Sequence, residues 1–120
     1  MRPDGNFQLT VNESEARSHL SLVGEFDRAV VGRVERALDH VFRGRAPRRV
    51  VIDLRLLTFL DTAALLTLLR AHERARACAF ELVVARPRGI ASRVFTLTRA
   101  GEALSMVDDP DVTASTPLRN

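Results

Sequence analysis

The chain contains no lysine, no tryptophan and no tyrosine, and each absence removes a class of function. Without lysine there is no Schiff-base amine and no phosphate-loop lysine. Phenylalanine is the only aromatic side chain, so the stacking platforms typical of single-strand binders are thin, and no zinc-finger spacing occurs. The single cysteine, Cys78, has no partner for an internal disulfide. At the end of a predicted helix it reads as a small buried apolar residue rather than a nucleophile. No apolar run is long enough to span a bilayer, and no N-terminal stretch joins a basic start to an apolar segment. The expectation is a cytoplasmic protein with no membrane contact.

What is present suits a small folded domain. The 120 residues are 46% hydrophobic, enough for one ordered core. The reading is a single domain over 1–120, with its core at about 7–107 and a short helix or loose tail at 108–120. The net charge is +3, and all 18 basic residues are arginine. Arginine never deprotonates, which lifts the isoelectric point to about 10.8 without any basic cluster. Basic and acidic residues alternate, as in Arg33, Glu35, Arg36 and Asp39, and the densest group, Arg43, Arg45, Arg48 and Arg49, falls in an apparent loop. This describes a solvated basic surface, not a nucleic-acid footprint.

The periodicity changes along the chain in an orderly way. Phe7, Leu9 and Val11 alternate with Gln8 and Thr10, the mark of a half-buried strand. A polar turn over Asn12–Glu15 leads to a second strand around His19–Val23, which predicts a hairpin. Gly24-Glu25-Phe26-Asp27 ends that strand, with Asp27 placed to cap a helix. Val30, Val31, Val34, Ala37, Leu38, Val41 and Phe42 recur at helical spacing, Gly44 suits the C′ position, and Pro47 bars continuation. Val50–Leu54 is a continuous apolar run, as in a central strand covered on both faces. Arg55–Thr58 is read as a connection, then Phe59-Leu60 leads into Asp61-Thr62 and a helix to about Ala77. Phe80–Ala85 is a third buried strand, and Ile90, Val94, Phe95, Leu97 and Thr98 step around a third helix closed by Gly101. Leu104, Met106 and Val107 suit a last short strand. Together these predict an α/β fold: a mixed, mostly parallel sheet of about five strands opened by a hairpin, with helices packed on it.

Candidate chemistry is sparse. His19, His40 and His72 lie in separate elements without acids or cysteine at metal-ligand spacing, and the glycines form no phosphate loop. Glu25, Asp27, Asp53 and Asp61 could gather at strand ends as a magnesium site or an acid–base pair, or simply cap helices. Asp61-Thr62 stands out because both residue types suit a helix start, where N–H groups lack partners. With Asp61 as N-cap, Thr62 is the first helical residue with its hydroxyl toward solvent. From the residues alone this is either a structural cap or a phosphorylation site.

The stretch Asp53-Leu54, then Leu57-Thr58-Phe59-Leu60-Asp61-Thr62 and a leucine-rich helix, resembles the signature of the STAS domain, in particular of bacterial anti-sigma factor antagonists. Gly24-Glu25-Phe26-Asp27 matches a second motif of that family, usually Gly-Glu-Leu-Asp in type, and element order agrees from about Phe7 to Val107. The resemblance implies a non-enzymatic protein without cofactor, a monomer or weak dimer. It would bind an ATP-dependent kinase that is also an anti-sigma factor, and so free a sigma factor. Phosphorylation of the residue after the aspartate dissolves that complex and a phosphatase resets it. Thr62 is then the phosphoacceptor, Asp61 the orienting carboxylate, and Gly24, Glu25, Phe26, Asp27, Asp61, Ala63, Ala64 and Leu65 the partner-binding set. Ala63 and Ala64 depart from the family pattern, which has Ser or Thr and then Gly; Ala in place of helical Gly favours the helix by about 1 kcal/mol. Two other STAS roles therefore stand beside the first: an accessory subunit docking to a lipid-transporter ATPase, and a scaffold that is not phosphorylated.

Overall fold

The computed structural model describes residues 6–45 and 48–111. Pro47 and positions 112–120 of the expected tail lie outside the described residues; a helical turn starts at Pro110 and Asp111. The elements run β1 (Phe7–Glu13), β2 (Arg17–Phe26), α1 (Val31–Phe42), β3 (Arg49–Leu60), α2 (Thr62–Ala77), β4 (Glu81–Ala85), α3 (Ile90–Thr98), α4 (Ala100–Ala103) and β5 (Met106–Val107), with a 3-10 turn at Arg28–Val30. They form one five-stranded sheet in the order β1-β2-β3-β4-β5, in which β1 is antiparallel to β2 and the other pairings are parallel. The α/β fold with a mostly parallel sheet opened by a hairpin is the expected one.

Sequential parallel order has a consequence for the layers. Right-handed crossovers that all step the same way along a sheet place every helix on one face. The core follows: Leu20, Leu22, Val50, Ile52, Leu82 and Val84 from the sheet share one buried cluster with Val34 and Leu38 of α1, Leu65 and Leu68 of α2, and Phe95 of α3. All five residues of Val50–Leu54 are buried, as expected for a central strand covered on both faces. On the second face Asp53 accepts from Arg55 Nη2 at 2.8 Å and Nε at 3.0 Å, and from the Arg55 backbone N–H at 3.1 Å. Guanidinium nitrogens only donate, so His19 Nδ1 accepts from Arg17 at 3.1 Å while Nε2–H donates to Asp53 at 3.0 Å. Arg17 also reaches Asp111 at 3.0 Å, tying the last described turn to this face.

β3 is where periodicity misleads most. It continues through Arg55–Thr58 to Leu60, because two register shifts against β2, between Ser21 and Val23 and between Gly24 and Glu25, each absorb an extra β3 residue. An extra residue reverses the side a strand presents. Leu54, Leu57 and Leu60 therefore all face the core at a spacing of three, while Leu56 and Phe59 are turned out.

Smaller corrections have similar local causes. β1 and β2 are longer than the alternation indicates, since the hairpin turn is tightened to Ser14–Ala16 by a Ser14 N–H bond to Arg17 O at 2.8 Å. Gly44 follows the C-cap Arg43, but without left-handed backbone. Left-handed Arg99, not Gly101, ends α3, and Gly101 sits inside α4. Ile90 and Leu97 point outward, leaving Ala91 and Phe95 as the buried side of α3. Cys78 is exposed rather than buried.

Gly24 marks a point where no other residue fits. Its φ is +98°, and a Cβ there would lie 1.6 Å from the Asn6 carbonyl oxygen, on the chain leading into β1. Gly24→Ala combines left-handed strain with a backbone clash, and is expected to cost about 3 kcal/mol in urea unfolding.

The Asp53 cluster predicts an acid limb of stability. Burial alone would raise the Asp53 pKa, but the Arg55 and His19 hydrogen bonds outweigh it and hold it at about 2, below its ordinary 3.8. A depressed folded-state pKa adds stability above the unfolded value and loses it as pH falls through the folded one. Thermal unfolding should therefore lose about 2 kcal/mol between pH 5 and pH 2 through this group, and Asp53→Asn should flatten that part of the profile.

Candidate functional site

Two chain junctions meet at the carboxyl end of the sheet. Phe26 at the end of β2 pairs with Leu60 at the end of β3, so the starts of α1 and α2 are held side by side. Asp61 joins them. Its Oδ1 accepts the N–H of Ala64 at 2.9 Å, the N-cap bond of α2, and its Oδ2 accepts the N–H of Arg28 at 3.0 Å, in the turn that opens α1. Its own N–H donates to Phe26 O at 3.3 Å. Asp27 caps the neighbouring 3-10 turn through Ala29 N–H at 3.0 Å. Each of these carboxylates satisfies helix-start N–H groups that would otherwise lack partners.

This arrangement leaves Thr62 at the first position of α2, exposed, with its hydroxyl bonded to none of the described residues. Glu25 is exposed on the same rim, and Gly24, Asp27, Asp61 and Ala63 are half-buried. Phe26, Ala64 and Leu65 are buried. They support the rim from below rather than line it, with the Phe26 ring 5.8 Å from that of Phe7. Gly24 keeps its place through the backbone, and Thr58 Oγ1 ties it by donating to Gly24 O at 3.2 Å.

The carboxylates do not gather. Asp27 and Asp61 spend oxygens on backbone N–H groups, whereas Asp53 is on the second face with Arg55 and His19. Among the described residues no three His, Cys, Asp or Glu side chains lie together as a metal site. No described helix is long and apolar enough to cross a membrane.

The structure adds apolar neighbours that motif reading passes over. Leu66, one helical turn after Thr62, is 44% exposed, and Phe59, paired with Glu25 near the end of β3, is 47% exposed. Leu66 was within reach of the sequence, being four residues after Thr62 and so on the same helix face. Phe59 was not, because its outward aim depends on the β3 register shifts. The site that results is a solvent-facing hydroxyl at a helix start, with Glu25, Phe59 and Leu66 exposed on the adjoining ends of β2, β3 and α2. It offers a contact surface and an acceptor oxygen, without a nucleophile–base pair.

The comparisons with known proteins bear on the fold and the family. A search of curated protein sequences returns no significant match. Among solved structures, an anti-sigma factor antagonist from Mycobacterium paratuberculosis is 27% identical and aligns over 94% of this chain and 96% of that one, with a TM-score of 0.76. The Bacillus cell fate determinant SpoIIAA in its phosphorylated form aligns over 90% of this chain and 95% of that one at 20% identity, TM-score 0.67. A sulfate transporter family protein from Wolinella succinogenes aligns over 83% of both chains at 16% identity, TM-score 0.69. The family model described as "Mlab, STAS domain" matches residues 9–108, and the chain therefore belongs to the STAS domain family.

Proposed function

We propose that this STAS domain is an anti-sigma factor antagonist whose docking rim is centred on Thr62 and switched by its phosphorylation. The observation that carries the reading is the exposed Thr62 hydroxyl, held at a helix start by an Asp61 carboxylate whose oxygens are already engaged. The partner is an anti-sigma factor that is also an ATP-binding kinase. Thr62 Oγ attacks the γ-phosphorus of ATP, the bond to the ADP oxygen breaks, and the hydroxyl proton leaves to a base on the kinase. Asp61 orients the acceptor by fixing the backbone on both sides of it. A phosphatase reverses the modification.

The energetics suit a switch at the interface. A phosphate adds about −1.5 to −2 charges. The start of α2 tolerates it, because free N–H groups and the helix dipole favour an anion there. A partner surface packed against Glu25, Phe59 and Leu66 does not, since the anion must be desolvated beside a carboxylate. A loss of about 3 kcal/mol at the interface is more than a hundredfold in affinity.

A second reading, an accessory subunit docking to a lipid-transporter ATPase, draws on Ala63 and Ala64. Ala64 in place of Gly stiffens the helix start and adds a methyl group beside the acceptor, and Ala63 removes a hydroxyl there, which favours permanent docking over repeated modification. In either role the domain works by binding, in the cytoplasm.

Incubation with the cognate kinase and ATP should add one phosphate, at Thr62 by mass spectrometry. Thr62→Ala should abolish the addition, and Thr62→Asp should weaken the kinase complex about tenfold or more while leaving the unfolding midpoint near that of the wild type. Phosphate on another residue, or full affinity in Thr62→Asp, would sink the switch. Recovery of a transporter ATPase instead of a kinase by affinity capture would select the second reading. Asp61→Ala should cost about 1–2 kcal/mol of stability through the lost N-cap and the orphaned Arg28 N–H, measured by urea unfolding.

A further inference from the structure

α3 is apolar on two sides, and the protein covers one of them. Ala91 and Phe95 are buried against the core. Ile90, Arg93, Val94 and Leu97 recur at i, i+3, i+4 and i+7, which places them on a second face of the same helix. Ile90 and Leu97 are each 77% exposed, and Val94 between them is half-buried. The helix packs on β3 and on α4. Its far flank, with Ser92, Thr96 and Arg99, borders a cleft toward Met106 of β5. At the other end of the stripe Ile90 shares a cleft with Arg88 and with Leu56 of β3, itself 65% exposed. Single exposed aliphatics are ordinary on a protein surface, whereas a stripe two turns long marks a contact.

The charge around the stripe has one sign. From residue 82 to residue 101 the chain carries four arginines and no acid. Arg86 is engaged by Asp108, and Glu102 reaches Arg99 only at 3.9 Å. Arg88 and Arg93 are exposed and have no ion-pair partner among the described residues. Arg93 lies within the stripe, between Ile90 and Leu97. An occupant that covers the apolar side chains must therefore also place acceptors over a guanidinium.

Three occupants fit this face unequally. A second copy, packed antiparallel about a two-fold axis, sets Arg93 against its own counterpart, with no acid on α3 to answer it. A bilayer surface receives only Leu56, Ile90 and Leu97. Together these hold fewer carbons than a single myristoyl chain, which by itself binds membranes marginally. A helix with apolar side chains at the same spacing and carboxylates beside them meets both requirements. Its ridges interdigitate with the stripe, and each arginine gains a partner. We propose that the Ile90–Leu97 face of α3 is a docking surface for an acidic amphipathic helix of a partner protein. This contact is separate from Thr62 and holds whether or not that residue is modified.

A defined probe tests it: a blocked helical peptide of about 18 residues, leucine on one face and glutamate on its flanks. It is titrated into the isotope-labelled full chain, with a lysine-flanked version as control. Amide resonances of residues 88–97 should shift with the glutamate peptide and not with the lysine peptide. Arg93→Glu should weaken binding about fivefold, and Ile90→Ser combined with Leu97→Ser about tenfold or more. All three side chains are exposed, so these variants should keep the wild-type unfolding midpoint. The proposal is overturned if no resonance shifts at millimolar peptide, if the shifts fall outside α3 and the cleft beside it, or if the lysine peptide binds equally well. A dimer in sedimentation velocity that Leu97→Glu disperses would assign the face to a second copy. Binding to phosphatidylglycerol vesicles without any peptide-induced shift would assign it to lipid, and either result overturns the proposal. No kinase or ATP enters the experiment, so its failure is separable from failure of Thr62 phosphorylation.

Discussion

One carboxylate bridges the two junctions on which the candidate site depends. Asp61 sits where β3 becomes α2, yet one of its oxygens serves the turn that follows β2. Both bonds fill N–H groups that helix formation leaves open, so a single side chain supplies two ends at once. The strand pairing of Phe26 with Leu60 makes the reach possible, and the Asp61 N–H bond to Phe26 O closes the ring. A rigid corner results, with the threonine hydroxyl on its outside.

The corner also explains why charge can be added there at little cost to the fold. The buried side chains that hold it, Phe26, Ala64 and Leu65, are apolar and lie beneath the surface. A charge placed on Thr62 would meet helix-end N–H groups rather than the core. Under the proposed function its energetic penalty falls on what docks, not on what folds. The β3 register shifts work alongside this: they turn Leu56 and Phe59 outward without removing Leu54, Leu57 or Leu60 from the core. The strand can thus be a central member of the sheet at its start and carry exposed apolar side chains at its end.

Much of the fold was legible in residue periodicity. The start of α2 at Thr62 and its end at Ala77, the α1 stripe from Val30 to Phe42, and the Met106–Val107 strand all follow from spacing and capping residues. The errors cluster where alternation breaks. Arg55–Thr58 looked like a connection because each register shift inserts a residue, so inward leucines recur every three positions. Ile90 and Leu97 looked like core because helical spacing does not say which of two faces has a sheet beneath it. Cys78 looked buried by residue type, and its place at a helix C-terminus exposed it.

By itself the sequence determined the local decisions: where helices start and stop, which strands are apolar on both sides, and that Asp61-Thr62 forms a helix start with a free hydroxyl. Those depend on backbone N–H groups and side chains a few residues apart. Only the tertiary structure decided that Asp61 also serves Arg28, that Asp53 leaves the other acids to pair with Arg55 and His19, and that all helices share one face. It also decided that β3 extends past β4. Each of these needs strands distant in sequence to be brought into register, and register is set by the whole sheet closing on its core rather than by any one segment.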